Sequence, residues 1–306
     1  MKKTVSIAFT LIELLVVIAI IGILSGLIVV TMNGVTQKAN IAKAQVFSNS
    51  LRNALMLNLI SEWKLDQINS NQTPDSWGTA TGTLNGSGGS QNLPQLQATG
   101  CVYGQCINFD GSDDYINFGN GNLDITGNIT VEVWVKSSRL WSPSNQTYVN
   151  ILAKDDSSNG YALRVYERSG DLKTYIEFRL MSGGTASGGL MYNVPNNFSY
   201  QSWTNIVGTR DGTGIKLYVN GMLVATATDQ APGSNTNGLY LGFSAGGVST
   251  YGYWPGVIDN VRIYDKAVPV SLIKEQYYAG LNSIYLKGGM TEEEYVRRIG
   301  TMAVAD

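Results

Sequence analysis

Hydrophobic positions follow three different patterns along this chain. From Phe9 to Val30 they run almost unbroken, interrupted only by Thr10, Glu13, Gly22, Ser25 and Gly26. As a helix, these 22 residues rise about 33 Å, enough to cross a hydrocarbon core of about 30 Å. Phe47, Leu51, Ala54 and Leu55 then recur with helical spacing among polar neighbours, and no proline occurs from Met1 to Thr73. The pattern predicts one long helix from about Phe9 to about Leu59.

The pattern changes to alternation at Glu62-Trp63-Lys64-Leu65-Asp66, which reads as a strand. Short strands are expected at Gln105–Asp110, Asp114–Phe118, Ile129–Lys136, Tyr148–Lys154, Tyr161–Glu167, Thr174–Met181, Thr204–Arg210, Ile215–Val219, Leu223–Ala227, Leu239–Phe243 and Val257–Tyr264. Asn220-Gly221 between two apolar runs marks a hairpin, because a type I′ turn needs positive φ at both central residues. Many regularly spaced strands indicate a two-sheet sandwich. Helical spacing returns at Val270–Leu281, and Thr291-Glu292-Glu293-Glu294 reads as a capping box opening a last helix. The expected fold is therefore a long N-terminal α-helix, an all-β two-sheet jelly-roll sandwich and a short C-terminal helical tail.

Composition supports this division. Charged residues make up 14 % of the 306, while glycine contributes 35, as a membrane segment joined to a turn-rich β-domain would require. The net charge of −2 and the lack of a long basic run argue against nucleic acid. The chain has no histidine, which removes His-dependent triads and His-based zinc sites. Cys101 and Cys106 are the only cysteines; they form a small disulfide loop in an oxidising compartment or remain two thiols in a reducing one.

A secretory signal peptide fits the N-terminus poorly, since its apolar core is shorter and Thr31-Met32-Asn33-Gly34 is no cleavage site. A plain membrane anchor leaves Glu13 unexplained, because a carboxylate near the membrane costs about 2.5–3.5 kcal/mol or more. The segment Ala8-Phe9-Thr10-Leu11-Ile12-Glu13-Leu14-Leu15, behind the basic leader Met1-Lys2-Lys3, resembles the cleavage and methylation motif of type IV prepilins and pseudopilins. The resemblance covers about the first 55 residues. It implies cleavage between Ala8 and Phe9, N-methylation of Phe9, and pairing of Glu13 with the Phe9 amine of a neighbouring subunit. Ala8 replaces the family's usual glycine, and its mid-helix proline is missing. The implied partners are a prepilin peptidase/methylase, other pilin subunits and the inner membrane before assembly. The implied location is the cytoplasmic membrane, single-pass with a cytoplasmic N-terminus, and afterwards a surface pilus or secretion pseudopilus.

The later blocks carry a second resemblance. Cys106-Ile107-Asn108-Phe109-Asp110-Gly111-Ser112-Asp113-Asp114-Tyr115-Ile116, Ile129–Val135, Lys216–Gly221 and Val257–Tyr264 are similar, in order, to laminin-G-like domains of the concanavalin A-like lectin/glucanase superfamily. Glu62–Asp66 and Asp75-Ser76-Trp77-Gly78 resemble the opening strand and loop of the same domain. The expected organisation is a leader at 1–8, a stem at 9–61 with 9–30 in the membrane, the lectin-like domain at 62–266 and the helical tail at 267–306.

The function that follows is a filament subunit displaying a lectin-like head for adhesion, with a glycan or surface protein as ligand. The alternatives are a membrane-anchored carbohydrate-active enzyme, or a binding protein that never assembles. Catalysis is not expected. Glucanases need two carboxylates about 5–9.5 Å apart, whereas Glu132 and Glu177 each lack an acidic partner two residues away. Asp110, Asp113 and Asp114 form either a capped turn or a calcium site. The resemblance implies one structural calcium with Asp259 as first ligand, and Asp66 and Asp113 as further ones. Trp141, Tyr148, Tyr251, Tyr253 and Trp254 fall in or beside loops, where rings stack on sugars or anchor the loops themselves; the sequence singles out no ligand contact among them.

Overall fold

The computed structural model describes residues 11–12, 14–22, 56–87, 92–143, 146–186, 190–246 and 251–303. The chain divides into two units, Met1–Ala54 and Leu55–Asp306. In the first, residues 11–12 and 14–22 are helical, with Leu11, Ile12, Leu14 and Ile18 exposed. Residues 10 and 23–55 of the expected long helix lie outside the described residues, as do Ala8, Phe9 and Glu13; its expected end is not helical, since residues 57–58 form a turn and Leu59 already opens a strand. Among the described residues no helix is long and apolar enough to cross a membrane.

The second unit is an all-β sandwich with two helices after it. Its strands are β1 (Leu59–Trp63), β2 (Gln72–Thr73), β3 (Gly82–Asn85), β4 (Gln95–Gln97), β5 (Cys106–Asp110), β6 (Tyr115–Asn117), β7 (Ile129–Ser137), β8 (Thr147–Asp155), β9 (Gly160–Arg168), β10 (Lys173–Ser182), β11 (Thr185–Ala186), β12 (Leu190–Val194), β13 (Thr204–Arg210), β14 (Gly214–Val219), β15 (Met222–Thr228), β16 (Tyr240–Leu241), β17 (Tyr251–Gly252) and β18 (Pro255–Tyr264). The helices are α1 (Val270–Leu286) and α2 (Glu292–Ala303). One eight-stranded sheet runs β15-β14-β13-β7-β18-β5-β4, with β1 paired to β18. The facing ten-stranded sheet runs β11-β10-β9-β8-β16-β6-β3-β2, with β12 on β10 and β17 on β8.

β1 begins at Leu59, so it takes in three residues expected to close the stem. The stretch expected as one loop from Ser70 to Gly100 carries β2, β3 and β4, short strands of mostly polar residues. Asp75 organises that stretch. Its Oδ1 accepts the amides of Glu62 (3.0 Å), Trp77 (3.0 Å) and Gly78 (2.8 Å), and its Oδ2 that of Ala80 (3.1 Å). Asn220 and Gly221 have φ of 51° and 75°, as the hairpin joining β14 and β15 requires.

Alternation along each strand places one set of side chains between the sheets. Val131, Val133 and Val135 of β7 meet Ile151, Leu163, Val165, Ile176 and Phe178 in a single core. The outer face of β7 is covered as well. Trp134 stacks on Tyr277 of α1, with centroids 5.7 Å apart and planes 11° apart. Gly280 lies over the same indole, so a β carbon there would strike Trp134. Beside it, Arg262 is held by Glu62 at 2.7 Å and Glu132 at 3.5 Å. Burial raises the Glu132 carboxyl above its usual range against the pull of Arg262, and the two carboxylates stabilise the charged guanidinium.

The last helix starts with half of the expected capping box. Thr291 Oγ1 accepts the Glu294 amide at 3.2 Å, but the Glu294 carboxylate turns forward to Arg298 at 2.6 Å. Arg298 also donates to the Trp203 carbonyl at 2.8 Å, which fastens α2 to the sandwich.

Candidate functional site

The ten-stranded sheet has an outer face of a different character. Along the middle of β8, β9 and β10 the inward residues are apolar, while the outward ones include tyrosines and charged or amide groups. Register stacks these outward residues in rows. Tyr148 faces Tyr166, which faces Tyr175. Asn150 faces Arg164, which faces Glu177. Ala153 faces Ala162, which faces Arg179.

The first row is a tier of rings. Tyr148 and Tyr166 stack 4.4 Å apart at 15°, and Tyr175 follows 6.2 Å from Tyr166. The tier rests on the second row. Arg164 lies with its guanidinium carbon 4.1 Å from the Tyr148 centroid and donates from Nε to Glu177 Oε2 at 2.6 Å. Arg164, Glu177 and Asn150 are all buried, and neither polar atom of the Asn150 carboxamide has a partner. Further along β8, Asp155 is buried, with Oδ1 bonded to Ser244 at 2.5 Å and Oδ2 unpartnered. Burial raises its carboxyl above the usual range.

A second ring cluster continues the face. Tyr240 faces Ala153, and Tyr115 and Tyr240 both alternate with core residues, Ile116 and Leu241. Tyr115 lies 5.9 Å from Tyr240, 5.2 Å from Phe243 and 6.4 Å from Tyr253, and Phe243 stacks on Tyr253 at 5.0 Å. All seven rings are half-buried, so each presents an edge or face to solvent.

The loop aromatics named from sequence separate here. Tyr148 and Tyr253 belong to this face. Trp141 and Trp254 do not: they are 2 % and 0 % exposed, packed 5.7 Å apart, and Trp141 Nε1 donates to the Phe198 carbonyl at 2.8 Å. Tyr251 pairs through its backbone with Tyr148. The sequence does not single out Tyr115, Tyr166, Tyr175, Tyr240, Asn150 or Arg164 as site residues, although tyrosine and polar residues alternating with apolar ones on adjacent strands carry the signal. Glu132 and Glu177 are each engaged by an arginine, Arg262 and Arg164.

The acidic residues fall in two places. Asp259, on β18, is fully buried, and its Oδ2 accepts the amides of Val102 (2.8 Å) and Tyr103 (3.1 Å). Asp66 Oδ1 accepts the Gln105 amide at 2.6 Å, and Gly104 lies so close that a β carbon would strike the carboxylate. Both carboxylates thus hold the loop closed by the Cys101–Cys106 disulfide, whose Cα atoms are 5.6 Å apart. Asp259 Oδ1 is buried without a partner. An orphaned carboxylate oxygen with a second carboxylate nearby fits a hard cation, since calcium takes carboxylates and carbonyls together. Asp113 is not part of this group: its oxygens meet Ser87 and Asn92 instead.

A family model described as Laminin_G_3, concanavalin A-like lectin/glucanases superfamily, matches residues 110–274. The chain belongs to this superfamily. Among solved structures, it resembles domain 4 of AbnA, a GH43 extracellular arabinanase from Geobacillus stearothermophilus, solved in complex with arabinotriose. The TM-score is 0.51 at 18 % identity, over 71 % of this chain and 97 % of that one. It also resembles the botulinum neurotoxin serotype D binding domain, with TM-score 0.54, 18 % identity, and 74 % of this chain covering 53 % of that one. A botulinum neurotoxin type C structure, described in terms of interaction with two ganglioside molecules, gives TM-score 0.56 and 14 % identity, covering 75 % of this chain and 53 % of that one. The chain therefore spans about half the length of these toxin structures. Among curated proteins, no sequence matches this chain. At these identities the likeness is one of fold.

Burial lifts the Asp259 carboxyl from its ordinary 3.8 to about 7, with the Tyr103 and Val102 amides pulling the other way. In the unfolded chain the same group titrates near 3.8. Between those values the folded protein holds a proton that the unfolded chain has released, so stability falls as pH rises through the window. In calcium-free buffer, urea unfolding from pH 4 to pH 7 is expected to show this downward slope. Asp259→Asn is expected to flatten it.

Proposed function

We propose that the sandwich binds carbohydrate across the outer face of the ten-stranded sheet. The observation that carries the reading is the array of seven half-exposed rings, Tyr148, Tyr166, Tyr175, Tyr115, Tyr240, Phe243 and Tyr253, on one side of one sheet. Aromatic rings present apolar faces to the C–H surfaces of a pyranose or furanose, and phenol hydroxyls at their edges serve its hydroxyl groups. Arg164 and Glu177 neutralise one another beneath the rings, which suits an uncharged sugar surface better than a fixed charge would. We take this as a binding function without catalysis, the carboxylates of Glu132 and Glu177 being committed to arginines.

The reading extends to the N-terminus, where the motif Ala8–Leu15 supports a type IV pilin-like subunit. In this account a peptidase cuts between Ala8 and Phe9, the new amine is methylated, and Glu13 pairs with that amine on a neighbouring copy. An unpaired carboxylate in an apolar segment is costly, and the neighbour's cation offsets the cost. The sandwich is then carried on a surface filament as an adhesive head. Asp259 and Asp66 are the residues that would hold a calcium ion here, and such an ion would supply positive charge to these two carboxylates.

Two measurements follow. On a glycan array the full chain in detergent is expected to bind a defined set of sugars, and Tyr148→Ala and Tyr166→Ala are each expected to weaken that binding by about two- to tenfold, the loss of one stacking contact of about 0.5–1.5 kcal/mol. Binding that is absent, or indifferent to both substitutions, removes the proposed face. N-terminal sequencing of protein recovered from cells is expected to begin at N-methylated Phe9; a chain still starting at Met1 removes the filament reading while leaving the sugar face intact.

A further inference from the structure

The turn that joins β5 to β6 holds a second acidic group, separate from Asp66 and Asp259. Asp110, Asp113 and Asp114 each offer a carboxylate oxygen, and these lie within 4.8 Å of one another. Ordinary turn chemistry accounts for part of this. Asp110 Oδ1 accepts the amides of Ser112 (2.8 Å) and Asp113 (3.3 Å), and Asp114 Oδ2 accepts the amide of Asp110 (2.9 Å). It does not account for Asp114 Oδ1. Asp114 is 4 % exposed, and this oxygen is buried with no partner.

That oxygen points toward a distant part of the chain. A β carbon on Gly86 would come within 3.2 Å of it and would collide with the Asn92 carbonyl. Ser87 and Asn92 both reach Asp113, Ser87 through its hydroxyl and Asn92 through its amide at 3.4 Å. Three carboxylates and the Ser87 hydroxyl therefore gather at the turn, with Gly86 and Asn92 lying alongside. Among the described residues no Lys or Arg forms an ion pair with any of the three carboxylates. Like charges so close repel one another, and Asp114 loses water as the turn packs.

We propose that this turn, together with Ser87 and Asn92, binds a divalent cation of the calcium class. Every donor is a hard oxygen, and calcium takes six to eight of these in flexible geometry, with waters filling the remainder. The cation joins the β5–β6 turn to Gly86–Ser87 and Asn92, next to Tyr115 at one end of the ring face. The inference does not depend on sugar binding.

Terbium is a luminescent stand-in for calcium, and Tyr115 and Tyr253 are near enough to sensitise it. Titration of the full chain in detergent is expected to give saturable tyrosine-sensitised emission, displaced by calcium in the range of about 10⁻⁴–10⁻³ M found for extracellular modules. Asp259→Asn, which removes the cation site at the disulfide loop, is expected to retain saturable emission from the turn, and adding Asp114→Asn to that variant is expected to weaken terbium binding at least tenfold. Should Asp114→Asn fail to fold, the less buried Asp113→Asn carries the same expectation. Absence of saturable emission overturns the proposal, as does emission that survives substitution at Asp113 and Asp114 but disappears in Asp259→Asn.

Discussion

Arg164 is a buried cation on the outer face of a sheet, and its needs organise the rest of that face. With only 4 % of its surface exposed, it must be paired. Glu177 supplies the charge at 2.6 Å, and Tyr148 lays its ring against the guanidinium at 4.1 Å. Both contacts require β8, β9 and β10 to pair in one register. A slip of one residue would carry Arg164 into the apolar core and push Leu163 or Val165 outward. The same register lines up Tyr148, Tyr166 and Tyr175, so the ring tier is a consequence of how the charge is satisfied.

The two sheets solve the same problem differently. The eight-stranded sheet also carries buried charge on its outer face, in Glu132, Arg262 and Glu62. There α1 closes over it, Tyr277 stacking on Trp134, and the face is used up in folding. On the ten-stranded sheet half-exposed tyrosines form the outer tier. One face is thus covered by a helix, and the other keeps its half-exposed rings. The helices that follow the sandwich therefore belong to its architecture: Leu272, Ile273, Tyr277, Leu281 and Ile284 are buried, and Arg298 bonds the Trp203 carbonyl.

Much of the sandwich was legible from sequence because its central strands are long and apolar on one side. Val131, Val133 and Val135 declare β7, and Asn220-Gly221 declares its turn through backbone conformation alone. The short strands β2, β3 and β4 were not legible. They are polar, two to four residues long, and exist because the neighbouring strands supply partners for their backbone. The site was only partly legible, for a related reason. Tyr148 and Tyr253 stood out as loop aromatics, but so did Trp141 and Trp254, which fill the core. What separates them is which side of the sheet each residue reaches, and that depends on register. The acidic residues show the same limit: Asp66 and Asp259 meet at the disulfide loop, while Asp113 is drawn instead to Ser87 and Asn92.

The central claim is that sugar lies on the tyrosine tier supported by Arg164 and Glu177. Hydroxyl-radical footprinting tests it most directly, comparing the full chain alone with the chain saturated by whichever glycan it binds. The account predicts protection concentrated at Tyr148, Tyr166 and Tyr175, with Tyr285 and Tyr295 of the C-terminal helices unchanged. Unchanged labelling of the three tier tyrosines, with protection appearing on the helices instead, would contradict it.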